Sequence, residues 1–125
     1  MSMLTAFNNQ LVQFFEELVS TFPEERDIRM GLEAINGAKK VNPRLILDLF
    51  FVHVYTPLAE PINRRDIELV QTIARQKIAT QFNEIMPALA IFDRLWATMT
   101  ESNQEAIWKY MKVLCILCER ARAKP

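Results

Sequence analysis

The feature that most constrains the fold is a continuous helical pattern near the end of the chain, over residues 102–122. Ser102 and Glu105 have the spacing of a capping box, in which a hydroxyl and a carboxylate each accept from a backbone amide at the start of a helix. Behind this start, apolar side chains recur at spacings of three and four and form one stripe: Ile107, Met111, Leu114, Cys118 and Ala121. Because Trp108 and Cys115 lie off that stripe, we expect this helix to be buried on more than one side, as a central rod.

The composition favours helices for the rest of the chain as well. Half of the 125 residues are apolar, and only two are glycine. Hairpin turns and phosphate-binding loops therefore have little glycine to use, and regular structure must dominate. Apolar and polar residues do not alternate over any useful length, so the sequence predicts no strand.

Prolines and capping residues divide the chain into helices. Apolar residues recur every three or four positions from Leu4 to Thr21, and Pro23 closes this first helix. The second helix is predicted to begin at Glu24 or Asp27 and to reach Ala38.

The third helix is marked by Asn42 and Pro43, since asparagine caps helices and proline is tolerated at the first helical position. From Leu45 to Tyr55 apolar residues cover its whole circumference, so we expect it to be buried beside the C-terminal helix. Pro57 and Pro61 are expected to end or kink it.

Two more helices are predicted in the second half, one with its apolar face over Leu69–Ile78 and one beginning at Pro87. A chain of this length falls within the range of single domains. We therefore predict one all-α domain over residues 1–125. It is a compact bundle of five to six helices around two central helices, Pro43–Tyr55 and Ser102–Ala123.

The net charge, the first residues and the length of the most apolar segment indicate the cellular location we expect for such a chain. Fifteen basic residues balance fifteen acidic ones, so no global field draws the chain to nucleic acid or to an anionic membrane. The first residues lack a basic segment followed by an apolar one, and we expect no secretory signal and an intracellular protein. The most apolar window, Leu45–Tyr55, is much shorter than the ~20 residues that cross a bilayer, so we expect no membrane span.

The cysteines and the histidine, the residues that could be reactive or bind metal, favour a structural role over a catalytic one. Cys115 and Cys118 form a C-x-x-C, but they lie late in an apolar helix, where the helix dipole does not lower a thiol pKa. We predict that both are packed, reduced and free of metal. His53, the only histidine, lies five residues after Asp48, which places the two about 140° apart on a helix. They cannot form a local acid–base pair, and we predict no catalytic residue, no cofactor and no enzyme.

Several short segments resemble a known group of proteins. They are Phe7-Asn8-Asn9-Gln10-Leu11, Phe22-Pro23-Glu24 with Asp27-Ile28, and Asn42-Pro43-Arg44-Leu45-Ile46 followed by Tyr55 and Pro57. These segments are similar to uncharacterised small helical proteins encoded by large double-stranded DNA viruses of algae and protists. The resemblance spans the N-terminal half and weakens beyond Pro61, where this chain has Arg64-Arg65-Asp66. It implies a virus-encoded protein made in a host cell, present in the host cytoplasm or in the virion.

The apolar surplus predicts a function in protein interaction. In so small a domain, two fully buried helices would have to be wrapped completely by the others, which is geometrically difficult. We therefore expect an exposed apolar patch of several hundred Å², bound by a second copy or by another protein. The candidates for this patch, some of which we expect to be exposed, are Phe14, Phe15, Trp96, Met99 and Trp108. A monomer that hides all of these side chains is the alternative.

Basic residues near the helix junctions support a second hypothesis, a nucleic-acid-binding module. The candidates for phosphate contacts are Lys39, Lys40, Arg44, Arg64 and Arg65, with Arg120, Arg122 and Lys124 at the end of the chain. These clusters would need to converge on one face. The neutral overall charge does not favour this hypothesis, because dedicated nucleic-acid domains usually carry a basic surplus.

Overall fold

The computed structural model describes residues 2–81 and 83–123, which form an all-α bundle with no strand among them. The six helices are α1 (Met3–Thr21), α2 (Arg26–Val41), α3 (Pro43–Arg64), α4 (Ile67–Thr80), α5 (residues 86–98) and α6 (Glu101–Ala123). The predicted fold class and the order of the helices are confirmed.

Side-chain caps fix most of the helix starts. The Ser2 hydroxyl accepts from the Thr5 amide at 3.0 Å, and the Asn42 side-chain oxygen accepts from the Arg44 amide at 3.1 Å, as expected for the start of α3. Asp66 caps α4 in the same way.

The start of α6 differs from the predicted capping box. The Thr100 hydroxyl accepts from the Asn103 amide at 3.1 Å, so the helix begins at Glu101 and Ser102 already lies within it. Glu105 does not reach back to Ser102. Its carboxylate instead accepts two hydrogen bonds from the Arg65 guanidinium, which ties the start of α6 to the end of α3.

Helix α3 is longer than its prolines suggest. A π-helical turn at Phe51–Tyr55 interrupts it, and the Thr56 hydroxyl donates to the Phe51 carbonyl at 2.9 Å. Pro57 then lies at the start of the resumed α-helix, where proline is tolerated, and the helix continues past Pro61. Of the two predicted alternatives, an end or a kink, the end is wrong, since the helix runs to Arg64.

The core lies between α1, α3, α5 and α6, with α2 and α4 packed around them. From α1 it receives Phe7, Leu11, Phe14, Phe15 and Leu18, and from α3 it receives Ile46, Leu47, Phe50, Val54 and Leu58. α6 contributes the predicted stripe together with Trp108 and Cys115. These side chains form one continuous hydrophobic cluster.

The two central helices are not buried all round, contrary to the expectation. On α3, Leu45 is 38% exposed and Val52 is 54% exposed; on α6, Val113 and Ile116 are about equally exposed at 40% and 41%. Each helix buries one broad face and turns a few aliphatic side chains outward. The bundle therefore does not need to wrap either helix completely.

The continuation through both prolines also makes α3 22 residues long, with mean hydropathy 1.4 over its most apolar part. By length and composition alone it could cross a membrane, which the shorter predicted window could not. Core helices meet the same criterion, and the inner face of α3 packs into the bundle through residues such as Phe50 and Leu58.

Candidate functional site

A groove of about 520 Å³ lies between α2, the end of α4 and the beginning of α5. Its size is within the range of small-ligand and side-chain pockets in proteins. The residues that line it are Asp27, Met30, Gly31, Ala34, Ile78, Gln81, Asn83, Glu84, Met86, Pro87, Ala90, Asp93 and Arg94.

Gly31 allows α2 to approach the base of this groove. A Cβ atom at this position would lie 3.0 Å from Cε2 of Phe15 and 3.3 Å from Cγ of Pro87. These distances are shorter than ordinary carbon contacts. A glycine here therefore lets α2 lie against the core and the first turn of α5 at the same time.

The walls of the groove are mainly apolar and include two methionines. Met30 on α2 is 52% exposed, whereas Met86 on α5 is 6% exposed. Ala34, Ile78 and Ala90 complete the apolar lining. Because methionine is unbranched, flexible and polarisable, such a wall can adapt to the shape of an apolar guest.

The rim of the groove is organised by a second π-helical turn, Ile91–Leu95, within α5. It carries Asp93 and Arg94, and each side chain forms an ion pair with a different part of the chain. Asp93 accepts from Nε of Arg75 on α4 at 2.7 Å, and Arg94 pairs with Glu25, the residue that precedes α2, at 2.5 Å. The turn thus links α4 and α2 across the groove, and turns of this kind are frequent at functional sites.

The rim carries an excess of negative charge. The hydrogen bond that Arg94 donates to Glu25 is the largest cause that raises the pKa of Arg94, and the nearby carboxylates of Asp27 and Asp93 raise it further. We count the charged groups that line the groove and their ion-pair partners. They are four carboxylates and two guanidinium groups, which gives a net charge of −2. They are Glu25, Asp27, Glu84 and Asp93, and Arg75 and Arg94.

The structure buries the aromatic residues that were expected in an exposed patch, so that prediction is wrong for them. The exposed fractions are 1% for Phe14, 0% for Phe15, 9% for Trp96 and 7% for Trp108, while Met99 is partly buried against the core.

Aromatic contacts within the bundle explain this burial. The rings of Trp96 and Trp108 meet edge to face at 5.1 Å, and both pack against Phe92. The Phe14 ring lies 5.1 Å from Tyr110 on α6. The apolar face of α5 is therefore turned into the bundle, where ring pairs of this geometry are favourable.

The basic candidates at the two ends of α3 do not converge on one face. Lys39, Lys40 and Arg44 lie where α2 meets α3, whereas Arg64 and Arg65 lie at the other end of α3. Since a helix rises ~1.5 Å per residue, the two groups are about 30 Å apart.

The arginines of these groups are also engaged by carboxylates. Arg44 pairs with Asp48, as expected, and Arg64 pairs with Glu60, each at 3.9 Å. At the end of α6, Arg122 donates to Asp48 at 3.2 Å and lies over the Phe51 ring, which brings it near Arg44. Lys124 lies outside the described residues.

The cysteines occupy the positions expected of core residues. Cys115 and Cys118 are both buried and form no disulfide. Burial raises the pKa of each thiol to about 12, which opposes thiolate formation. Within residues 2–81 and 83–123, no three histidine, cysteine or acidic side chains are grouped to hold a metal ion.

His53 lies in the first π-helical turn and is half-buried. Its Nδ1 atom is buried and has no hydrogen-bond partner within the described part of the chain. Burial and the charge of Lys77 lower its pKa, which favours the neutral imidazole. Asp48 is engaged by two arginines and does not contact it.

The groove was missed by reasoning from the sequence. Its residues come from three helices that are separated along the chain, and no periodic pattern indicates that these helices meet. The local signals available were Gly31 inside a helix and the pair Asp93-Arg94 inside an apolar segment, and neither specifies a partner. Searches of protein families, curated proteins and solved structures find no match to the chain.

Proposed function

We propose that this chain is a non-enzymatic protein-interaction module and that the groove between α2, α4 and α5 is its binding site. The observation that carries the proposal is a concave surface with adaptable apolar walls, which include Met30 and Met86, inside a charged rim. Interface cores are enriched in methionine and aromatic side chains and are surrounded by polar rims. The groove has the methionines and the polar rim of this arrangement, on a scale that fits a few side chains of a partner.

The proposal keeps the interaction function expected from the sequence but assigns it to another surface. In this account the bundle is stabilised by Phe14, Phe15, Trp96 and Trp108. Partner binding, which was expected of these residues, is assigned to the groove. The partner is another protein, with a second copy of the chain as the alternative. From the resemblance to virus-encoded helical proteins, we further propose that the interaction takes place in an infected host cell or in the virion.

Site-specific photo-crosslinking tests the binding site. A photoreactive phenylalanine analogue is placed at position 30 in the groove or, as the control, at position 116 on the exposed face of α6. Position 30 is expected to yield a discrete protein adduct in host extract, and position 116 is not. The adduct must then be identified and shown to bind again as a purified protein. Crosslinks to the same partner from both positions, or from position 116 alone, would contradict the proposed site.

Nucleic-acid binding remains the second hypothesis, and the geometry favours it less. Three of its five candidate residues are paired with carboxylates, and the two groups lie at opposite ends of α3. We expect at most weak, non-specific affinity that falls steeply with salt, as phosphate contacts require. A gel shift that persists at physiological salt and discriminates between sequences would reverse this ranking.

A further inference from the structure

We propose that the occupant of the groove is a cationic amphipathic segment of a partner protein. In this arrangement a large apolar side chain of the partner lies between Met30 and Met86, and its lysine or arginine side chains reach Asp27 and Glu84. The inference rests on the proposed function and adds the chemical character of the partner.

The charge distribution provides the first argument. Two of the four rim carboxylates are already engaged, Glu25 by Arg94 and Asp93 by Arg75. Asp27 on α2 and Glu84 between α4 and α5 also line the groove. A guest that approaches the opening therefore meets a net negative rim, which attracts cationic groups and repels carboxylates and phosphates.

The lining provides the second argument. The apolar wall of the groove is made by Met30 and Ala34 on α2, Ile78 on α4, and Met86 and Ala90 on α5. A purely ionic guest would leave this wall unfilled, whereas an amphipathic segment places apolar and basic groups on one side with the required spacing. Adaptable methionines between acidic residues suit such a segment because they adjust to the shape of the inserted side chain.

Two model peptides test the inference. They are designed helices with identical leucine and phenylalanine positions, and their charged positions are all lysine in one and all glutamate in the other. Binding is followed through the methyl NMR signals of the methionines, with those of Met30 and Met86 assigned by single substitutions to leucine. The lysine peptide is expected to shift both signals in a saturable manner, and its binding should weaken as salt rises.

Matched variants separate the rim charges from a general effect of net charge. The double variant Asp27→Asn/Glu84→Gln is expected to weaken binding of the lysine peptide about tenfold, as the loss of two exposed charge pairs predicts. The control Glu68→Gln/Glu101→Gln removes the same charge from exposed sites outside the groove and should change the affinity less than twofold.

The inference would be overturned if the glutamate peptide bound as tightly as the lysine peptide, or if both double variants weakened binding equally. A dimer that Ala34→Trp dissociates would identify a second copy as the occupant. If position 30 crosslinks a partner but neither peptide shifts Met30 and Met86, the cationic segment is wrong while the interaction site stands. If position 30 yields no specific crosslink, the proposed function itself fails.

Discussion

The side-chain amide of Asn8 on α1 donates a hydrogen bond to the backbone carbonyl of Pro43, the first residue of α3, at 2.9 Å. Asn8 is the polar residue that α1 buries, at 6% exposure. Its own Oδ1 atom has no partner within the described residues. This contact joins the N-terminal part of α1 to the first residue of α3. It fixes where α3 begins against α1.

Replacement of Asn8 by alanine should therefore destabilise the bundle. The Pro43 carbonyl loses its donor, and a lost partly buried hydrogen bond costs about 1–2 kcal/mol. Chemical denaturation of both proteins measures the change in the free energy of unfolding. Asn9→Ala is the matched control, because Asn9 is exposed on the same helix and should change stability by less than about 0.5 kcal/mol. Equal effects at both positions would show that the hydrogen bond to Pro43 contributes nothing.

The thiols of Cys115 and Cys118 should be inert in the folded protein. Their raised pKa of about 12 keeps them protonated at neutral pH, and burial blocks access. Alkylation by iodoacetamide should therefore be much slower in the native protein than in urea. Rapid native alkylation, or stoichiometric zinc in the purified protein, would contradict the prediction of packed, metal-free thiols.

The same raised pKa predicts how stability depends on alkaline pH. The unfolded thiols ionise near pH 9 and the folded ones near pH 12, so the unfolded state loses protons first. The contribution of the thiols is complete below pH 9 and is lost as the pH rises towards 12. The double variant Cys115→Ala/Cys118→Ala should be less stable at neutral pH, by about 1 kcal/mol per site, with a shallower loss of stability above pH 9. Parallel pH profiles for the two proteins would show that the thiols do not account for this dependence.

Arg65 ends α3 in the left-handed conformation, with φ of 54°. A residue with a Cβ atom adopts this conformation at a cost of about 1 kcal/mol relative to glycine. Arg65→Gly and Arg65→Ala both remove the ion pair with Glu105, so their comparison isolates the backbone. Thermal unfolding should show Arg65→Gly to be the more stable of the two by about 1 kcal/mol. Equal stability would indicate that the end of α3 relaxes away from this conformation.

The parts of the fold that could be predicted from sequence are those set by local chemistry. Asn42 and Pro43 define the start of α3 because cap and first-turn preferences act within a few residues. The start of α6 was placed slightly too late because Thr100 and Ser102 have similar capping chemistry. Contact between Glu105 and Arg65, forty residues away along the chain, is not encoded locally.

The candidate site depends on long-range packing and was beyond such reasoning. Periodicity indicates which residues of a helix are apolar, but not whether that face meets a neighbour or solvent. Trp96 and Trp108 were therefore assigned to the surface although they pack against each other. Nothing in the sequence marks Met30 as part of a binding site, because it joins a groove only where α2 approaches Met86 on α5.

The measurement that tests the central claim most directly is the affinity of the crosslinked partner, once purified, for two tryptophan variants. Ala34→Trp places a large side chain in the groove, whereas Val113→Trp places the same side chain on the exposed face of α6. If the groove is the binding site, Ala34→Trp should weaken binding at least about a hundredfold, the scale of a lost interface hot spot, and Val113→Trp should leave the Kd within a factor of about two of the unsubstituted protein. An unchanged Kd for Ala34→Trp, in a variant that still folds as judged by circular dichroism, would show that the partner binds elsewhere.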